Sequence, residues 1–119
     1  MSEPWPEEFR LSDGGRTLFA LFDSGERFSY PAEYLRVESP SAEVKGHGPG
    51  QEVIVTGKAD VNIVKIEPVG NYAVRFQFND GHSTGLYTWT YLVKLGREKE
   101  ALWSAYLEKL SSIGGKRKA

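Results

Sequence analysis

An α+β fold, made mostly of antiparallel β-hairpins and a meander with short helices and a C-terminal helix, follows from three patterns in the 119-residue sequence. Short apolar stretches separated by Gly-containing turns fill the first third, the arrangement of a small meander. Tyr72, Val74, Phe76 and Phe78 alternate with Ala73, Arg75, Gln77 and Asn79, the two-residue period of a strand with one buried face. Leu102, Trp103, Tyr106, Leu107, Leu110 and Ile113 recur at helical spacing.

The elements follow in order. Phe9 to Leu11 is strand one, Ser12-Asp13-Gly14-Gly15 turns, Arg16 to Phe22 is strand two, Asp23-Ser24-Gly25 turns, and Glu26 to Tyr30 is strand three. Pro31 suits the first turn of a short helix carrying Tyr34, Leu35 and Val37 on one side, with Pro40 as its stop. Ser39 to Lys58 is rich in Gly, Pro, Ser and charge and reads as a long connection with one short strand at Val53 to Val55. Val61 to Ile66 is a strand by its β-branched content, ended by Pro68 and Gly70. Asn79-Asp80-Gly81 is a hairpin-turn signal, with His82 to Tyr87 returning as partner. Trp89, Leu92 and Val93 form a short amphipathic helix closed by Gly96, and the last helix runs from Glu98 to Ile113 before Gly114-Gly115.

These elements form a weak repeat. Phe19 to Gly25, then Tyr30 and Tyr34-Leu35, is echoed by Val74 to Gly81, then Tyr87 and Tyr91-Leu92. Two similar hairpin-plus-helix units facing each other would bring the end of the first helix near the second hairpin turn. The expected organisation is a flexible 1–8, one domain over 9–113, and a basic disordered tail over 114–119.

Composition bounds the function. A net charge of −1 and a pI near 6.1 argue against nucleic-acid and anionic-membrane partners, which call for clustered positive charge. The one basic cluster, Lys116-Arg117-Lys118, reads as a solvated C-terminus. With no cysteine the chain can form no disulfide, thiolate nucleophile or thiolate-held cluster of its own. The first ten residues have no apolar core of a signal peptide, and no run approaches a membrane span, so a cytoplasmic location is expected.

The candidate chemistry rests on two histidines. His47 lies close in sequence to Glu43 and Glu52, and His82 close to Asp80. Two His and one carboxylate can hold Fe(II) with open positions, so His47, His82 and Asp80 form a metal site if the long connection folds over the second hairpin. The alternative is structural: Asp80 serves the turn, His82 is a polar strand residue and His47 is solvated. Ser39 or Ser41 beside a histidine gives a nucleophile and base on paper, but no nucleophile-elbow pattern is present. Gly46-His47-Gly48-Pro49-Gly50 lacks the Lys-Ser/Thr ending of a phosphate loop. The helical stripe at Glu98 to Ile113 is core packing, or else a surface for a partner or a second copy.

Tyr34-Leu35-Arg36-Val37-Glu38-Ser39-Pro40-Ser41-Ala42-Glu43-Val44 resembles the segment Trp-Leu-Arg-Asp-Asn-Cys-Pro-Cys-x-x-Cys of the gamma-butyrobetaine hydroxylase-like N-terminal domain family. Phe78-Asn79-Asp80-Gly81-His82-Ser83, leading to Trp89 and Tyr91-Leu92, resembles the family's second signature, whose histidine completes a zinc site. Pro31-Ala32-Glu33 and the 46–50 loop are similar to stand-alone bacterial members, and the likeness extends from about Leu11 to about Gly96. Where the family's zinc site uses three thiolates, this chain has Ser39, Ser41 and Val44, and His82 alone remains of the four ligands. A serine hydroxyl is a poor zinc ligand and valine is none, so the resemblance implies a degenerate site. A core of this size can supply the folding energy that metal would otherwise contribute. Nothing in these residues corresponds to the oxygenase domain that holds iron and 2-oxoglutarate in the hydroxylase. The family's association with P-loop iron–sulfur carrier ATPases implies a protein-binding accessory role in iron-related pathways, with weak zinc or iron binding at His82 as the alternative.

Overall fold

The computed structural model describes residues 4–40, 54–83 and 85–118. Strands β1 (Pro6–Ser12), β2 (Thr17–Phe22) and β3 (Arg27–Pro31) form one antiparallel sheet, followed by helix α1 (Ala32–Val37). Strands β4 (Ile63–Val69), β5 (Ala73–Phe78) and β6 (Leu86–Thr88) form a second, followed by helices α2 (Trp89–Arg97) and α3 (Lys99–Ser112). The α+β reading holds. Leu18, Ala20 and Phe22 of β2 and Val74, Phe76 and Phe78 of β5 turn inward and share one core with Tyr30, Tyr34, Leu35, Tyr87, Trp89 and Leu92. Every second residue of each central strand is thereby removed from water, the main favourable contribution to such a fold.

The repeat is a pseudo-two-fold. In the first hairpin the amide of Phe22 donates to the Glu26 carbonyl and that of Gly25 to the Phe22 carbonyl; in the second, Phe78 donates to His82 and Gly81 to Phe78. Gly25 and Gly81 have φ of 90° and 91°, the left-handed region open to glycine. The halves then exchange hydroxyls. Tyr30 donates to the Leu92 carbonyl (2.7 Å) and Tyr87 to that of Leu35 (2.5 Å), while Tyr34 donates to Leu95 (2.7 Å) and Tyr91 to Glu38 (2.5 Å). Carbonyls at the C-terminal turn of a helix lack intrahelical partners. At Leu35, Glu38 and Leu95 each half therefore covers the last turn of the other's helix, whereas Leu92 lies a turn earlier in α2. Contacts are matched in the same way, with sizes reversed: Gly96 leaves room for Phe28, and Gly85 for Ser39.

Four expectations need revision. Ile54 and Val55 are not in a strand; they pack beside a smaller cluster of Val37, Tyr106 and Leu110, and the Tyr106 hydroxyl donates to the Val55 carbonyl. Val53 lies outside the described residues. β4 continues through Pro68, because β4 is an edge strand and the missing N–H removes no ladder bond on its open side. The return after the second turn is strand only at Leu86–Thr88, since His82 turns inward toward Ser39. At the ends, β1 already begins at Pro6 and is preceded by Trp5, whose amide meets the Asp23 carboxylate. The C-terminal segment, expected to be free, is held: Gly57 and Ala59 amides donate to the carbonyls of Lys116 and Arg117.

Candidate functional site

The second hairpin turn meets the end of α1, as the repeat requires. Asp80 Oδ2 accepts from Arg36 Nε (2.8 Å) and Lys58 Nζ (2.6 Å), and Oδ1 accepts from the His82 amide (3.1 Å). Burial alone would raise this carboxyl's pKa, but the Lys58 ammonium, the His82 amide and Arg36 outweigh it and lower it to about 2. Asp80 is thus an anion held between two cations. It does serve the turn, and it also ties α1 and the chain around Lys58 to β5.

His82 lies one residue beyond Gly81, and its ring turns into the protein beside Phe78, leaving 6% of the residue exposed. Its Nε2 is 2.9 Å from Ser39 Oγ, and Ser39 is fully buried. A buried polar atom needs such a partner. Gly85 passes directly over Ser39 and Pro40, where a Cβ would strike the serine oxygen. Of the four positions in the family's zinc layout, the two described ones, Ser39 and His82, are in hydrogen-bond contact. Ser41 and Val44 lie outside the described residues, as do His47, Glu43 and Glu52.

The turn brings Asp80 and His82 side by side, yet both Asp80 oxygens and the His82 Nε2 already have protein partners. Among the described residues no group of three His, Cys, Asp or Glu is placed to hold a metal. Ser39, considered as a nucleophile, has no exposed surface for a substrate to reach. An open cleft of about 190 Å³ beside Asp80 is lined by Gly57, Lys58, Asp60, Val61, Asn79 and Asp80. Sequence reasoning missed Arg36 and Lys58 as the partners of Asp80. Arg36 lay inside the matched motif, but Lys58 is 22 positions away in the chain and carries no local signal.

It also missed an ion pair between a buried carboxylate and a half-exposed guanidinium. Glu33, in the first turn of α1, is 6% exposed and takes a two-pronged hydrogen bond from Arg117, Nε to Oε2 at 3.0 Å and Nη2 to Oε1 at 2.8 Å. The Arg117 guanidinium also lies 5.4 Å from the centre of the Trp103 ring.

No helix among the described residues is long and apolar enough to cross a membrane. Comparison with known proteins supplies the family. The chain is 42% identical to a protein solved by NMR in solution, at a TM-score of 0.84 and covering 98% of this chain and 92% of that one. A second NMR structure is 46% identical, with a TM-score of 0.82 and 96% and 85% covered. A crystal structure of a protein of unknown function in the DUF971 family, from Acidithiobacillus ferrooxidans, is 40% identical, with a TM-score of 0.64 and 76% and 91% covered. No curated protein matches the chain. The family described as gamma-butyrobetaine hydroxylase-like, N-terminal, matches residues 9–93, from within β1 through the second sheet to the middle of α2; the chain belongs to that family.

Proposed function

We propose that this chain is a non-enzymatic accessory domain that binds another protein, and that the family's zinc layout has here become a hydrogen-bonded core contact. The observation that carries the reading is the Ser39–His82 pair. A neutral hydroxyl stands where a thiolate would be required, buried and already matched to the one remaining histidine. A hydrogen bond here satisfies both groups without a metal. The family association directs the search for a partner to iron-related and iron–sulfur proteins.

Native mass spectrometry on the purified chain tests the first half. The parent chain is expected to carry no stoichiometric zinc, whereas the S39C/S41C/V44C variant, with His82 as fourth ligand, is expected to take up one ion. Affinity capture from native lysate tests the second half, and recovery of no stoichiometric partner at any salt concentration counts against protein binding. Zinc or iron retained by the parent and lost in His82→Ala would instead establish a metal-binding protein using His82, with Asp80 and His47 as further donors.

A further inference from the structure

We propose that Asp13-Gly14 is a modification site, at which Asp13 rearranges spontaneously to an isoaspartyl residue, and that the fold protects the chain's other Asp-Gly pair, Asp80-Gly81, from the same reaction.

The rearrangement asks two things of an Asp-Gly pair. The carboxyl must be free to take up a proton, because it departs with loss of a hydroxyl and not of an oxide. The glycine amide must be free to approach the side-chain carbon, and the absence of a Cβ leaves that approach open. Asp13 meets both demands. Among the described residues its carboxylate takes no hydrogen bond and no ion pair. Asp13 and Gly14 are both exposed, and nothing lies within 4 Å of the place a Gly14 Cβ would take. Asp13 also has φ of 54°, a left-handed conformation that a residue with a Cβ adopts at a cost. Asp80-Gly81 meets neither demand. Arg36, Lys58 and the His82 amide hold its carboxylate as the anion, and the Gly81 amide is tied to the Phe78 carbonyl at 3.0 Å.

The atoms balance with solvent alone. The Gly14 nitrogen bonds to Cγ of Asp13, and its proton leaves with the carboxyl hydroxyl as water, closing a succinimide ring. Water then opens the ring at one of its two carbonyls. Opening at Cγ restores aspartate. Opening at the original peptide carbonyl leaves the chain running through Cγ, with one more backbone carbon and a new carboxylate on Cα. That lengthening falls just ahead of the contact that joins the first hairpin to β4. Gly15 packs directly on the Ile63 carbonyl, and Arg16 reaches the Ala59 carbonyl at 3.4 Å and the Asp60 carboxylate at 3.3 Å.

The test ages the folded parent chain at neutral pH and physiological temperature, then maps its peptides by electron-transfer fragmentation, which separates isoaspartate from aspartate. Isoaspartate is expected at position 13 about tenfold or more faster than at position 80, whose carboxyl is so seldom uncharged. In the chain unfolded by urea the two positions are expected to convert at similar rates, since the dipeptide is the same. Lys58→Ala, which removes one donor from Asp80, is expected to speed conversion at position 80 and leave position 13 unchanged. The aged fraction, methylated from S-adenosylmethionine by an isoaspartyl methyltransferase, is expected to show moved amide resonances for Gly15 and Ile63. No isoaspartate at position 13, equal rates at the two positions in the folded chain, or a difference that persists in urea overturns the proposal. The comparison in the parent stands even if Lys58→Ala does not fold.

Discussion

Asp80 shows how much one turn residue can hold. Its folded-state pKa of about 2 lies below the ordinary 3.8, so the charged form is favoured by folding. That contribution is present above pH 4 and is lost as the pH falls from about 4 to about 2. Asp80→Asn is expected to lower stability by about 2 kcal/mol near neutral pH, with the gap to the parent closing by pH 2. Denaturant unfolding at several pH values checks it; a gap independent of pH would mean that the carboxylate's charge is not what matters. Glycines differ just as sharply. Gly14 and Gly15 both have positive φ, but a Cβ on Gly14 meets nothing, whereas one on Gly15 runs into the Ile63 carbonyl at the start of β4. Gly14→Ala is expected to cost about 1 kcal/mol and Gly15→Ala about 3 or more, measured by thermal unfolding.

Among the elements, legibility followed range. β2, β3 and β5, α1 and both later helices were readable because period, turn residues and a Pro at the entry of α1 all act locally. The Asn79-Asp80-Gly81 turn was readable for the same reason, and with it the adjacency of Asp80 and His82. What was not readable depends on distant partners. Val53 to Val55 has the β-branched content of a strand, yet Ile54 and Val55 find side chains of α1 and α3 in place of a neighbouring strand. Propensity yields to tertiary context there. The tail looked solvated because its charge pattern says nothing of Glu33, 84 positions before Arg117. In the candidate site, sequence order alone places His82 close to Asp80, but which atoms they satisfy depends on Ser39, Arg36 and Lys58 arriving from other elements.

For the whole molecule, the two halves are joined by more than apolar packing. Tyr30, Tyr34, Tyr87 and Tyr91 all carry hydroxyls raised well above the ordinary tyrosine pKa of 10.0 by burial, and each donates across the pseudo-two-fold. Such reciprocity, in which one half contacts its counterpart's helix end and is contacted at its own, is the geometry of an isologous interface, here within one chain. If one half opens, the carbonyls it covers on the other lose their donors. The molecule should therefore lack a subglobal opening confined to one half: slow-exchanging amides of β2 and β5 are expected to share a single opening free energy, and Tyr30→Phe to lower both equally. A β2 that outlasts β5 in hydrogen exchange would show two foldons where the crossed hydroxyls imply one.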